Sequence, residues 1–106
     1  MTIIPQNHKM DLTDTTLLMA SSDYKDRFLA EVAQTKIRRE KLENLLNRWD
    51  KLDFAPACPY ELLRTQYDTM GELYKIYIKR SKIEKISLMS IGVSDEEVNR
   101  ILEGEI

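Results

Sequence analysis

Asp53-Phe54-Ala55-Pro56-Ala57-Cys58-Pro59 is the stretch on which the fold turns. Upstream, from Ser22 to Trp49, the sequence has no glycine or proline. There Tyr24, Phe28, Val32, Thr35, Arg39, Leu42, Leu46 and Trp49 recur at steps of three or four, the signature of one stripe on an α-helix. Ser22 and Asp23 supply side-chain oxygens able to cap its first N–H groups. The two prolines then force extended backbone on their predecessors, and proline fits a helix best at its first position. The spacing therefore predicts a cap at Cys58, a first helical residue at Pro59, Glu61 in the dipole-favoured first turn, and a second helix to about Lys85. So short a connection folds the second helix back on the first as an antiparallel hairpin.

The second helix is apolar over too wide an arc for a single neighbour. Leu62, Gln66, Met70, Leu73 and Tyr77 form one stripe that suffices for the hairpin. Tyr67, Tyr74 and Ile78 widen it on one side, and Ile76 and Ile83 on the other. At about 100° per residue the arc exceeds roughly 200°, about twice what one helix covers. Part of it must meet a third helix, another subunit or a ligand. Ser94-Asp95-Glu96-Glu97 is a capping box flanked by Val93 and Val98 as a hydrophobic staple, and it marks a short third helix carrying Val98, Ile101 and Leu102. Gly92 marks the turn before it. Residues 1–20 show no strong pattern; Leu17, Leu18 and Met19 fit a short helical turn or an arm packed on a neighbour. The expected organisation is all-α: an arm over 1–20, a helical hairpin over 21–88 and a short capped helix over 89–106. A chain of 106 residues makes one domain, and a few helices alone leave apolar surface uncovered, so a homo-oligomer is expected.

Composition narrows the function classes. Charged residues make up 32% and hydrophobic ones 42%, a balance that fits a soluble helical domain rather than a disordered one. The net charge of −2 hides an acidic tail: residues 95–106 hold five acids against Arg100, while residues 1–94 hold 15 basic and 13 acidic side chains. General nucleic-acid binding calls for a far larger basic excess and is not expected. Cys58 is the only cysteine, which excludes an internal disulfide and a cysteine zinc cluster. His8, the only histidine, lies in a polar N-terminal segment. Cys58 reads as a small half-buried residue at a helix start, with a reactive thiol as the other option. No run of about 18 apolar residues offers a membrane span, and Met1 to Met10 lacks the apolar core of a signal peptide. A place in the cytoplasm of the host cell, with no membrane partner, is the expectation.

No phosphate loop, His-Glu metal motif or nucleophile elbow is present, so neither an enzyme nor a cofactor or metal site is expected. Glu40 and Glu43, three apart, read as a solvated face rather than an acid/base pair. Two features stand out. Arg39 lies on the first helix's stripe between Thr35 and Leu42, and Arg80 aligns with Leu62 and Leu73 on the second. A guanidinium on an apolar stripe either packs its stem and sends its head to solvent or an ion pair, or it faces an anionic ligand. The second feature is the interleaving of Tyr67, Tyr74 and Tyr77 with Arg64, Lys75, Lys79, Arg80 and Lys82. Bases stack on aromatic rings and phosphates take paired bonds from arginine, so a nucleotide-sized ligand is permitted. Tyrosines at helical spacing also serve as core or interface, and the pattern alone leaves both open.

The run Asp23-Tyr24-Lys25-Asp26-Arg27-Phe28, then Ala30-Glu31, Gln34 and Lys41-Leu42, resembles the first helix of a family of small phage and prophage proteins, catalogued from crAss-like phages and their relatives. The likeness continues through Leu52-Asp53-Phe54, Pro56, Cys58-Pro59, Glu61-Leu62-Leu63, Gln66, Met70 and Arg80, covering residues 22–88. More distantly, Leu62-Leu63-Arg64-Thr65 with Met70 is similar to the hairpin of phage sponge proteins, departing from it at Tyr67 and Gly71. Those proteins oligomerise and sequester cyclic nucleotide or cyclic ADP-ribose signals of the CBASS and Thoeris defence systems. The resemblance implies an anti-defence sponge that binds such a signal without hydrolysing it. Arg39, Arg64 and Arg80 would contact phosphates, and Tyr67 and Tyr74 would stack on base or ribose. The alternative is a helical interaction module or structural oligomer that docks a host or phage protein through its broad apolar face. Gly71, inside a helix, costs about 1 kcal/mol relative to alanine and marks either a close approach or a tolerated weakness.

Overall fold

A computed structural model describes residues 10–104, and the expectations for His8 and the rest of the N-terminal segment before Met10 fall outside them. The described chain is all helical: α1 (Thr15–Met19), α2 (Tyr24–Asn47), α3 (Tyr60–Glu84) and α4 (Asp95–Glu103), with 3-10 turns at Trp49–Lys51 and Met89–Ile91. The two long helices pack together as the expected hairpin, and α4 closes on α3.

Each start has a local cause. Asp23 adopts extended backbone ahead of α2 and its carboxylate accepts from the Lys25 N–H at 2.9 Å, so it is the cap offered by the Ser22–Asp23 pair. The second long helix begins one residue later than expected, because Pro59 keeps an extended ψ of 146° and helical geometry starts at Tyr60. The connection is braced by Trp49 meeting Tyr60 edge to face, with ring centres 5.3 Å apart. At the far end Lys85 takes the left-handed conformation (φ 56°), letting the Ile86 N–H donate back to the Ser81 carbonyl at 2.9 Å. Ser94 caps α4, accepting from Glu97 N–H at 3.1 Å, and both Val93 and Val98 are buried beside it as a staple requires.

The core gathers Phe28, Val32 and Ala33 from α2, Tyr74 and Ile78 from α3, and Val98 from α4. Ile86, Leu88, Ile91 and Val93, from the irregular link before α4, complete it. α1 is fixed to α2 through its fully buried Thr15, whose hydroxyl accepts from the Gln34 amide at 3.0 Å. The face that α3 turns inward is not the stripe of Leu62, Met70 and Leu73 but its flank. Tyr74, Ile78 and Ser81 are buried, while Leu62 and Leu73 are 61% and 40% exposed. Among the described residues, no helix is long and apolar enough to cross a membrane.

Candidate functional site

Midway along the hairpin, α2 delivers Arg39 against α3. Its Nε donates to the Tyr67 carbonyl at 3.2 Å, and its guanidinium carbon lies 3.9 Å from the centre of the Tyr67 ring. Gly71, one turn further along α3, makes room for it. A Cβ at that position would sit 2.7 Å from Arg39 Nη2, so the glycine is the berth of a side chain. The Tyr67 hydroxyl donates to Glu43 Oε2 at 2.8 Å, a bond that chiefly raises the tyrosine's pKa by favouring its protonated form. Arg64 brings a second guanidinium within 5.5 Å of the same ring. It pairs with Asp68 at 3.3 Å, both side chains being more than half exposed. Its pKa is raised first by a hydrogen bond with Tyr60 and then by Asp68. Two arginines are thus held at one surface tyrosine.

Beside this cluster lies a cavity of about 160 Å³ lined by Lys36, Arg39, Glu40, Glu43, Tyr74 and Glu97, the last reaching in from α4. Tyr74 is its floor. The ring is 9% exposed and packed in the core, and its hydroxyl is buried with no hydrogen-bond partner. Burial, then the carboxylates of Glu97 and Glu40, push its pKa upward. Tyr74, to which the resemblance gives a stacking role, packs its ring in the core and also lines the cavity.

Arg80 stands apart. Thirteen residues beyond Tyr67, it is about 20 Å further along α3 and on another side of that helix. Its guanidinium carbon lies 4.7 Å from the Phe28 ring centre; Nε donates to Glu84 at 3.0 Å and Nη2 to the Tyr24 hydroxyl at 2.6 Å. Tyr24 in turn donates to Glu84 at 2.6 Å, closing a three-member ring between the ends of α2 and α3. The Tyr24 bond, more than Arg80, lowers the Glu84 pKa, and the bond to Glu84 raises that of Tyr24. Of the five residues proposed from sequence, Arg39, Arg64 and Tyr67 share one patch, Tyr74 lies beneath the adjoining cavity, and Arg80 belongs to a separate latch. Glu43 and Gly71 complete the patch. Glu43 was visible in sequence only as half of a carboxylate pair, and Gly71 only as an unexplained glycine. Cys58 is half-buried. Among the described residues no group of three or more potential metal ligands comes together.

The class of this protein is an all-helical hairpin, with a tyrosine flanked by two arginines on one side of it. The chain belongs to the Sequestin family, whose model matches residues 22–83, the hairpin from just before α2 almost to the end of α3. No curated protein and no solved structure matches it. α1 and α4 lie outside the matched span.

Proposed function

We propose that this protein is a phage or prophage accessory factor that binds a small cyclic nucleotide or cyclic ADP-ribose-type immune signal and holds it without hydrolysing it. The family's name denotes sequestration, which supports capture of a ligand. The observation that carries the reading is Arg39 and Arg64 at the Tyr67 ring. A guanidinium is a fork of donors suited to phosphate, and a half-buried aromatic ring beside it suits a base or ribose. Arg39 is already immobilised between Tyr67 and Gly71, so little ordering cost remains when an anion arrives. Arg64 is the exposed partner: its surface bond to Asp68 is screened by solvent and yields readily to a phosphate. Arg80 and Tyr74 support the frame in this reading. Holding a signal needs affinity alone, and the carboxylate nearest the ring, Glu43, is engaged by the Tyr67 hydroxyl.

Isothermal titration of the full chain with cyclic mononucleotides, cyclic dinucleotides and cyclic ADP-ribose tests this. One class should bind and be recovered intact. Arg64→Ala should weaken it about tenfold, as expected for loss of a charge-assisted bond, with circular dichroism unchanged. Equal binding by Arg64→Ala would remove the patch as the site. A second reading, a module docking a host or phage protein, is favoured by the exposed apolar residues Leu62, Leu73, Ile76 and Ile83 on α3.

A further inference from the structure

The cavity beside the Tyr67 patch holds two polar groups that the fold leaves unused. One is the Tyr74 hydroxyl: the residue is 9% exposed and its oxygen has no hydrogen-bond partner. Burying a hydroxyl without a partner is costly, so the position calls for one. The other is the half-buried carboxylate of Glu97. Its backbone N–H donates to Ser94, but among the described residues no hydrogen bond or ion pair engages its side-chain oxygens. Burial first, and then Glu97 and Glu40, raise the Tyr74 pKa, so the hydroxyl keeps its proton at neutral pH and is a donor. Those two carboxylates and Arg39, which also acts on the hydroxyl, all line the cavity, and they fix the oxygen at its floor.

The remaining lining groups are already engaged. Lys36 pairs with Glu40 at 3.3 Å, Glu43 accepts from the Tyr67 hydroxyl, and Arg39 donates to the Tyr67 carbonyl. What is left is a protonated hydroxyl from α3 and an acceptor carboxylate from α4, facing a common space of about 160 Å³. That is far more than the roughly 15 Å³ a single water needs, and less than the ~300 Å³ at which sites for drug-sized ligands begin. The space suits one group of a larger ligand. Arg39 and Glu43 belong both to this space and to the Tyr67 patch. A ligand with phosphates at Arg39 and Arg64 therefore has the cavity within reach.

We propose that the cavity reads the base of that ligand and selects a nucleobase edge bearing an exocyclic amine. The amine donates to Glu97, and an acceptor atom of the same base takes the proton of the Tyr74 hydroxyl in a hydrogen bond. Adenine, guanine and cytosine carry such an amine together with acceptors; hypoxanthine has no amine. An N–H bond to a half-buried carboxylate is charge-assisted, and a base without the amine leaves Glu97 desolvated and unpaired. The hydroxyl is covered in the free protein, so the base reaches it as the ends of Lys36 and Glu97 change rotamer. Glu97 lies outside the residues 22–83 matched by the family model, which puts base choice on an element beyond the hairpin. The inference rests on the ligand reading above and adds which part of the ligand is read, and by which groups.

Isothermal titration of the full chain with adenine, guanine and hypoxanthine forms of cyclic mononucleotides, cyclic dinucleotides and cyclic ADP-ribose tests it. The wild type should bind an amine-bearing form about tenfold or more tighter than its hypoxanthine form. Glu97→Ala should bring the two within about threefold of each other. Tyr74→Phe should weaken the amine-bearing form about tenfold while its melting temperature holds or rises, since an unpartnered hydroxyl adds nothing to the free fold. A lowered melting temperature would make that hydroxyl structural and overturn its part. Equal binding of hypoxanthine and amine-bearing forms, or a preference that survives Glu97→Ala, would overturn the inference and leave the ligand reading standing. Failure of every form to bind would remove the ligand reading and the inference with it.

Discussion

The hairpin contains the same ingredients twice, an arginine over an aromatic ring and a tyrosine hydroxyl on a glutamate, and puts them to different use. Near the chain's helix ends, Arg80, Tyr24 and Glu84 satisfy one another in a closed ring over Phe28. Midway, Arg39 is held by a main-chain carbonyl and a glycine berth, and Arg64 adds a second cation to the same tyrosine. In the first cluster each strong donor is already matched to a strong acceptor, which makes a latch. In the second, a cation held by the main chain sits beside one in an exposed ion pair, which is the arrangement the proposed ligand site uses. An arginine on an apolar stripe is thus not a functional signal in itself; what its head is already bonded to decides the matter.

Breaking the latch from below should have the largest effect. Phe28 is 1% exposed, and Phe28→Ala should cost about 3–5 kcal/mol, enough to unfold the hairpin in a denaturant titration. A loss below about 1 kcal/mol would mean that the core does not depend on this ring. Gly71→Ala separates the clusters more finely. The new Cβ displaces the flexible end of Arg39, while alanine returns about 1 kcal/mol of helix propensity. Stability should change by less than that, and ligand capture should fall about tenfold, since one immobilised guanidinium is lost. Unchanged capture would show that Arg39's berth does not serve binding.

Ser94→Ala should destabilise α4 by about 1 kcal/mol and move Glu97 off the cavity wall, leaving the latch untouched. Hydrogen exchange over 95–103 reads it, and unaltered protection would discard the cap's role. The smallest effect is in pH. The Glu84 pKa is lowered in the folded state, so its contribution is present above the ordinary carboxylate range and is lost as pH falls through the folded value. The Tyr24 pKa is raised, so its contribution is present below about 10 and is lost as pH rises through the folded value. The latch should be closed across neutral pH and loosen at both extremes. A carboxyl titration followed by nuclear magnetic resonance checks it, and an unshifted Glu84 would contradict it.

Much of the fold was legible because it rests on local chemistry: the prolines at 56 and 59, the Asp23 cap and the Ser94 box each act within a few residues. The burial of Ile86, Leu88 and Ile91 in the link was not, since these residues follow no helical or strand period and join a core gathered from α2, α3 and α4. The inward face of α3 was misplaced by part of a turn, since periodicity gives the width of an apolar arc but not which edge a neighbour fills. The site was half legible. Arg39, Arg64 and Tyr67 do meet, but the separation of Arg80 and the burial of Tyr74 depend on which groups reach them across the hairpin, and no spacing encodes that.

The measurement closest to the central claim is native mass spectrometry of the protein purified gently from cells with active nucleotide-based phage defence. The account predicts a stoichiometric mass increment equal to a cyclic nucleotide or cyclic ADP-ribose-type signal, released intact on denaturation and reduced in Arg64→Ala. A protein that carries no increment, and gains none on addition of a panel of such signals, would contradict it.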